Sequence, residues 1–225
     1  MNAFIGDSST RAFKSKFLGS LLSDNWFIPG GSLLAMEELI RDVIIMHHGE
    51  DEFGGKVHIY ISAGLCDLTK KLKEPNYEEV IFDFVHEMDI RSSFLNSLET
   101  IRLFTLKEGA IPVFTTIYPM SLADWNQHRL LKNKTSHLSY SNEYPLMQSK
   151  LKESARCVNE EIIASNVKTG VATPLIHKHL IHNRGQGKFA FKYNFLSDGC
   201  HPTQVLQQKI AVSLRQAIIK NRASH

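Results

Sequence analysis

Apolar runs short enough to be strands alternate along this chain with segments of helical periodicity, and that alternation most narrows the fold it can adopt. The runs are Asn2–Gly6, Trp26–Pro29, Val57–Ala63, Ile111–Tyr118 and part of Val171–Ile181. Most are near-continuous apolar stretches, as strands buried on both faces require. Between them, Ser32–His48 places Leu33, Leu34, Met36, Leu39, Ile40, Val43 and Ile44 on one face at a repeat of about 3.6 residues. Arg11–Leu22 is helix-like, Tyr77–Gly109 reads as a longer helical region bent or broken near Asp89-Ile90-Arg91, and Pro202–Asn221 closes the chain as a helix. This order predicts an α/β fold, a three-layer α/β/α sandwich around a central, mostly parallel sheet of about five strands. With 225 residues, 43% of them apolar and 22% charged, and no repeat or linker, residues 1–225 are expected to form a single domain.

Open α/β sheets bind ligands at the carboxyl ends of their strands. At the end of the first run, Gly6-Asp7-Ser8-Ser9-Thr10 leads into the helix-like stretch, so Ser8 falls where a strand becomes a helix. Unpaired N–H groups and the positive end of the helix dipole suit an oxyanion there. Taken alone, Ser8, Ser9 or Thr10 reads equally as an ordinary helix cap. The second polar cluster is Ser197-Asp198-Gly199-Cys200-His201-Pro202. A serine hydroxyl is a poor nucleophile until a base takes its proton, and a histidine is a dependable base when a carboxylate fixes its tautomer. Asp198 and His201 are able to supply that couple to Ser8.

These two clusters together resemble the SGNH, or GDSL-type, hydrolase superfamily: its first block is Gly-Asp-Ser near the N-terminus and its last is Asp-x-x-His-Pro. The resemblance implies Ser8 as nucleophile, His201 as general base and Asp198 as its orienting carboxylate. It also implies the strand order 2-1-3-4-5 and, as function, hydrolysis or transfer of a short acyl group such as acetyl through an acyl-enzyme. Gly30, in Phe27-Ile28-Pro29-Gly30-Gly31-Ser32, corresponds to the glycine whose N–H joins that of Ser8 in the oxyanion hole, although Pro-Gly-Gly is otherwise a common turn. The third block, normally Gly-x-Asn-Asp, reads Gly64-Leu65-Cys66-Asp67, so Cys66 replaces the oxyanion asparagine. Asp7, Gly31 and Asp67 lie in the same blocks and are expected to line the binding site. The Gly-x-Ser-x-Gly elbow of α/β-hydrolases does not occur. The superfamily also includes esterase-like domains of mobile-element proteins and RNA-binding members without catalysis, so the alternative is an inactive module binding RNA or another partner.

The remaining features set the expected partners. Three cysteines, Cys66, Cys157 and Cys200, lack the spacing of a disulfide framework or zinc knuckle. With no leader peptide or bilayer-length apolar run, the chain is expected to be cytoplasmic or nuclear. A formal charge of +3 is too mild to demand nucleic acid. The irregular stretch Ser121–Asn142 nevertheless interleaves Trp125, His128, Arg129, Lys132, Lys134, His137 and Tyr140, and with Lys150, Lys152 and Arg156 it makes a basic 129–156 region that could contact nucleic acid. His177 and His179 would share a face on a strand, but no third ligand has convincing spacing. A small acyl ester is the expected substrate; no metal and no cofactor are expected.

Overall fold

The computed structural model describes residues 2–7, 24–47, 56–74, 77–132, 137–183 and 189–224. Among the described residues, four parallel strands, β1 (Asn2–Gly6), β2 (Asp24–Phe27), β3 (His58–Ser62) and β6 (Ile111–Phe114), form a sheet in the order β2-β1-β3-β6. Two antiparallel pairs stand apart from it: β4 (Lys70–Glu74) with β5 (Tyr77–Ile81), and β7 (Ile181–Asn183) with β8 (Phe189–Phe191). The helices are α1 (Met36–His47), α2 (Glu87–Lys107), α3 (Leu122–Leu131), α4 (Tyr144–Thr169) and α5 (Gln204–Ser224).

Every residue of β1 and β3 is buried, and the two-residue period of the strands divides them between two cores. Ala3, Ile5, Ile59 and Ile61 pack with Met36, Ile40 and Val43 of α1, Phe94, Leu98 and Ile101 of α2, and Leu151, Val158 and Ile162 of α4. Phe4, Tyr60 and Val113 pack on the opposite face with Leu206, Ile210, Leu214 and Ile218, the apolar stripe of α5. The result is helix, sheet, helix: the expected α/β/α layering. No helix among the described residues is long and apolar enough to cross a membrane.

Buried asparagines stand in for missing strand neighbours. Asn166 accepts from Phe114 N–H (3.0 Å) and donates to Phe114 C=O (2.7 Å), as a paired strand would. Asn159 does the same for Ile117, Asn126 for Val80 and Asn221 for Ala172. This explains the first departure from the sequence reading. Val171–Ile181 is not a fifth strand: residues 176–179 form a 3-10 turn, and only Ile181 begins a short strand, in the separate β7–β8 pair. The outer edge of β6 is already occupied, because Pro112 has no N–H, Asn166 takes both groups of Phe114, and Thr116 N–H donates to Pro174 C=O (3.2 Å). Replacing Asn166 with Ala leaves both Phe114 groups buried and unpaired, so urea unfolding should show a loss of roughly 2–4 kcal/mol.

Other expected boundaries also move. Tyr77–Gly109 is not one helical region: its start is strand β5, held by the Asn126 clamp on Val80 and by fully buried Glu79, which accepts Ser139 N–H (3.0 Å), Tyr140 N–H (3.2 Å) and the Tyr144 hydroxyl. Helix α2 then runs unbroken through Asp89-Ile90-Arg91. Most of Ser121–Leu131 is ordered as α3, N-capped by Ser121, whose side chain accepts Asp124 N–H (3.4 Å), rather than irregular. His177 and His179 lie in the 3-10 turn and not on a strand. The expected helix Arg11–Leu22 lies outside the described residues.

Candidate active site

Asp7 follows directly on β1 and is buried, its N–H donating to Ser62 C=O at the end of β3 (3.2 Å). Ser8 is the next residue and lies outside the described residues. Beyond β2, the turn that includes exposed Gly30 is closed by Gly31 N–H donating to Ile28 C=O (3.0 Å). Gly31 is packed so closely that a Cβ there would stand 2.8 Å from Met36 Cε. Asp67 ties this turn to the loop after β3, because its Oδ2 accepts Leu33 N–H at 2.8 Å. Burial pushes the Asp67 carboxyl up, and the Leu33 hydrogen bond opposes the rise.

Cys66 sits in that loop, partly exposed, with Asp7 and Asp67 as electrostatic neighbours. Burial, reinforced by the two carboxylates, pushes its thiol up to about 12. The group therefore stays protonated near neutral pH, a weak S–H donor and not a nucleophile.

The loop before α5 builds the acid–base couple. Asp198 Oδ2 lies 2.7 Å from His201 Nδ1, while its Oδ1 accepts the backbone N–H groups of Cys200 (3.0 Å) and His201 (2.8 Å). Both oxygens are engaged, so the carboxylate orients the ring that it pairs with. Burial pushes the Asp198 carboxyl up, but the His201 hydrogen bond and the two N–H donors outweigh it and bring the group to about 2. His201 shifts the other way: the Asp198 hydrogen bond raises it, burial opposes, and the charges of Asp198 and Asp7 raise it further against Lys132. Asp7 therefore feels His201 across the sheet edge, although the two belong to opposite ends of the chain.

Helix α3 braces this loop, a relation that motif reading missed. Ser121 N–H donates to Gly199 C=O (2.7 Å), and Trp125 meets the His201 ring edge-on at 5.6 Å. Gly199 has φ +86°, and a Cβ there would stand 2.6 Å from Trp125 N and 2.8 Å from Ser121 O. A glycine between Asp and His was the available signal, but its partner helix is remote in sequence.

Three cations of the basic 129–156 region are paired with acids. Arg129 bridges to Glu78 and lies over the Trp125 ring, Lys150 reaches Glu87 (3.1 Å), and Arg156 bonds both Glu153 and Glu160. Lys134 is outside the described residues. His179 Nε2 is hydrogen-bonded to Ser213 Oγ (2.7 Å), and among the described residues no group of three or more His, Cys, Asp or Glu is arranged to hold a metal ion.

The sequence matches no family model and no curated protein. The fold does have close counterparts among solved structures. A GDSL-like lipase from Bacteroides thetaiotaomicron superposes with a TM-score of 0.59 at 12% identity, over 97% of this chain and 87% of that one. An acetyl xylan esterase gives 0.56 at 10% identity over 96% of this chain and 99% of that one. The OSK domain of Drosophila Oskar gives 0.54 at 11% identity over 95% and 86% respectively. The chain thus has the SGNH-hydrolase fold.

Proposed function

We propose that the protein is a serine ester hydrolase of the SGNH type, acting on short acyl esters. The observation that carries this reading is the Asp198–His201 couple, held at 2.7 Å with Asp7 near enough to bias the imidazole, because Ser8 follows Asp7 by one ~3.8 Å step of chain. In this reading Ser8 Oγ attacks the ester carbonyl carbon and its proton passes to His201 Nε2, the nitrogen not bonded to Asp198. The N–H groups of Ser8 and Gly30 hold the oxyanion. His201 then protonates the departing alcohol, and a water molecule, deprotonated by the same nitrogen, releases the acid and regenerates Ser8. Hydrolysis of p-nitrophenyl acetate and butyrate tests the assignment.

The raised His201 sets the pH dependence. Its protonated form cannot accept the serine proton, so kcat/KM for p-nitrophenyl acetate should rise with pH through one titration above the ordinary histidine value of about 6.5. Asp198, held near 2, remains ionised throughout. Asp198→Asn should move the midpoint downward as well as slowing the reaction; a flat profile between about pH 5 and 9 excludes this base.

Cys66 decides how strong the oxyanion hole is. An amide N–H is a better donor than a neutral thiol, and one well-aimed donor is worth roughly 10²–10³ in turnover. Cys66→Asn is therefore expected to raise kcat with little change in KM; unchanged kcat would remove residue 66 from the oxyanion hole. The same cysteine favours the second reading, a nucleic-acid-binding module without catalysis. That reading requires salt-sensitive RNA binding weakened by Arg129→Ala and Lys132→Ala, together with no esterase turnover.

A further inference from the structure

Between α4 and the side chains of His177, Ile181 and Phe191 lies a cleft of about 630 Å³. That volume is in the ordinary range for a small-molecule site. Asp198 and His201 are not among the residues lining it. Its walls are mixed: Pro119, Ile163, Ile181 and Phe191 supply an apolar part, and the charged side chains of α4 line the rest. Most charges along α4 cancel there: Arg156 is bonded to Glu153 and Glu160, and Lys150 to Glu87. Lys152 is different. Its Nζ lies 5.7 Å from the Phe191 ring centroid and 5.4 Å from that of Tyr193, and it has no carboxylate partner among the described residues. Burial pulls its ammonium down, as expected of a cation that nearby anions do not compensate. Across the cleft, His177 Nδ1 is buried with no hydrogen-bond partner among the described residues, and burial brings that ring down to about 4, so it is neutral near pH 7.

We infer that this cleft is a second ligand site, taking a small carboxylate with an apolar, preferably aromatic, body. The carboxylate pairs with Lys152, while the body packs on Phe191, Ile163 and Ile181. A single cation suits a single negative charge better than a phosphate dianion.

The test is calorimetric titration of the full chain with 4-phenylbutyrate, and with 4-phenylbutanol as the uncharged control. Binding of the acid should exceed that of the alcohol by at least tenfold, fall tenfold or more in Lys152→Met, survive in Lys152→Arg, and be unchanged in His201→Ala. Ile163→Trp, which fills the cleft, should abolish it and serves if Lys152→Met fails to fold. Hydrolysis of p-nitrophenyl acetate should be unaltered in Lys152→Met. No binding to the wild type, equal binding by Lys152→Met and Ile163→Trp, or loss in His201→Ala would overturn the assignment.

Discussion

Ser8→Ala and His201→Ala are each expected to reduce kcat/KM for p-nitrophenyl acetate by roughly 10⁴–10⁶-fold, and the double variant by no more than either alone. The equality follows from the mechanism: the hydroxyl is useless without the base, and the base has no proton to take without the hydroxyl. Asp198→Ala should be milder, because the imidazole remains in place as a weaker base, without its orienting and charged partner. Additive losses would mean that the residues act in different steps. If Ser8→Ala retained activity and Ser9→Ala lost it, the nucleophile would be the neighbouring serine.

Gly199→Ala should also have a large effect, even though residue 199 contributes no side chain to the chemistry. Its φ of +86° disfavours any L side chain, and the atoms a methyl would meet at 2.6 and 2.8 Å belong to the backbone of α3 and its N-cap Ser121, which cannot rotate aside. The loop must therefore move off α3, losing the Ser121–Gly199 hydrogen bond and displacing the Asp198–His201 pair. An ångström-scale displacement is enough to lower kcat/KM by roughly 10²-fold, and the strain should cost on the order of 2–4 kcal/mol in urea unfolding. Gly30→Ala is the control: φ is +67° but nothing lies within 4 Å of the new methyl, so its stability cost should be only about 1–2 kcal/mol. Equal costs at the two positions would show that backbone strain alone, without the α3 contact, accounts for the effect.

Strands β1, β3 and β6 were legible because burial on both faces favours apolar residues, as at Phe4-Ile5 and Ile59-Tyr60-Ile61, whereas β2 begins on polar Asp24 and Asn25, ahead of the apolar run expected from Trp26. Helices α1 and α5 were legible from their stripes. The β4–β5 hairpin was not, because Lys70-Lys71-Leu72-Lys73-Glu74 and Tyr77-Glu78-Glu79-Val80-Ile81 look as helical as extended. What favours the strand is tertiary: the Asn126 clamp, the Lys71–Glu78 ion pair at 2.6 Å, and the bonds to Glu79. The fifth strand failed for a similar reason, since nothing local in Val171–Ile181 reports that Asn166 already occupies Phe114. At the site, the adjacency of Asp198 and His201 could be read from their spacing. The bracing of Gly199 by α3, the tie from Asp67 to Leu33 and the protonated state of Cys66 arise only when distant segments meet.

The most direct measurement is labelling of the intact chain with a fluorophosphonate, followed by mass spectrometry of the peptide that contains Ser8. A phosphonyl adduct on Ser8, formed more slowly in His201→Ala and absent from Ser8→Ala, is the expected result. An unlabelled wild-type protein, or an adduct that persists on another residue in Ser8→Ala, would contradict the serine hydrolase assignment.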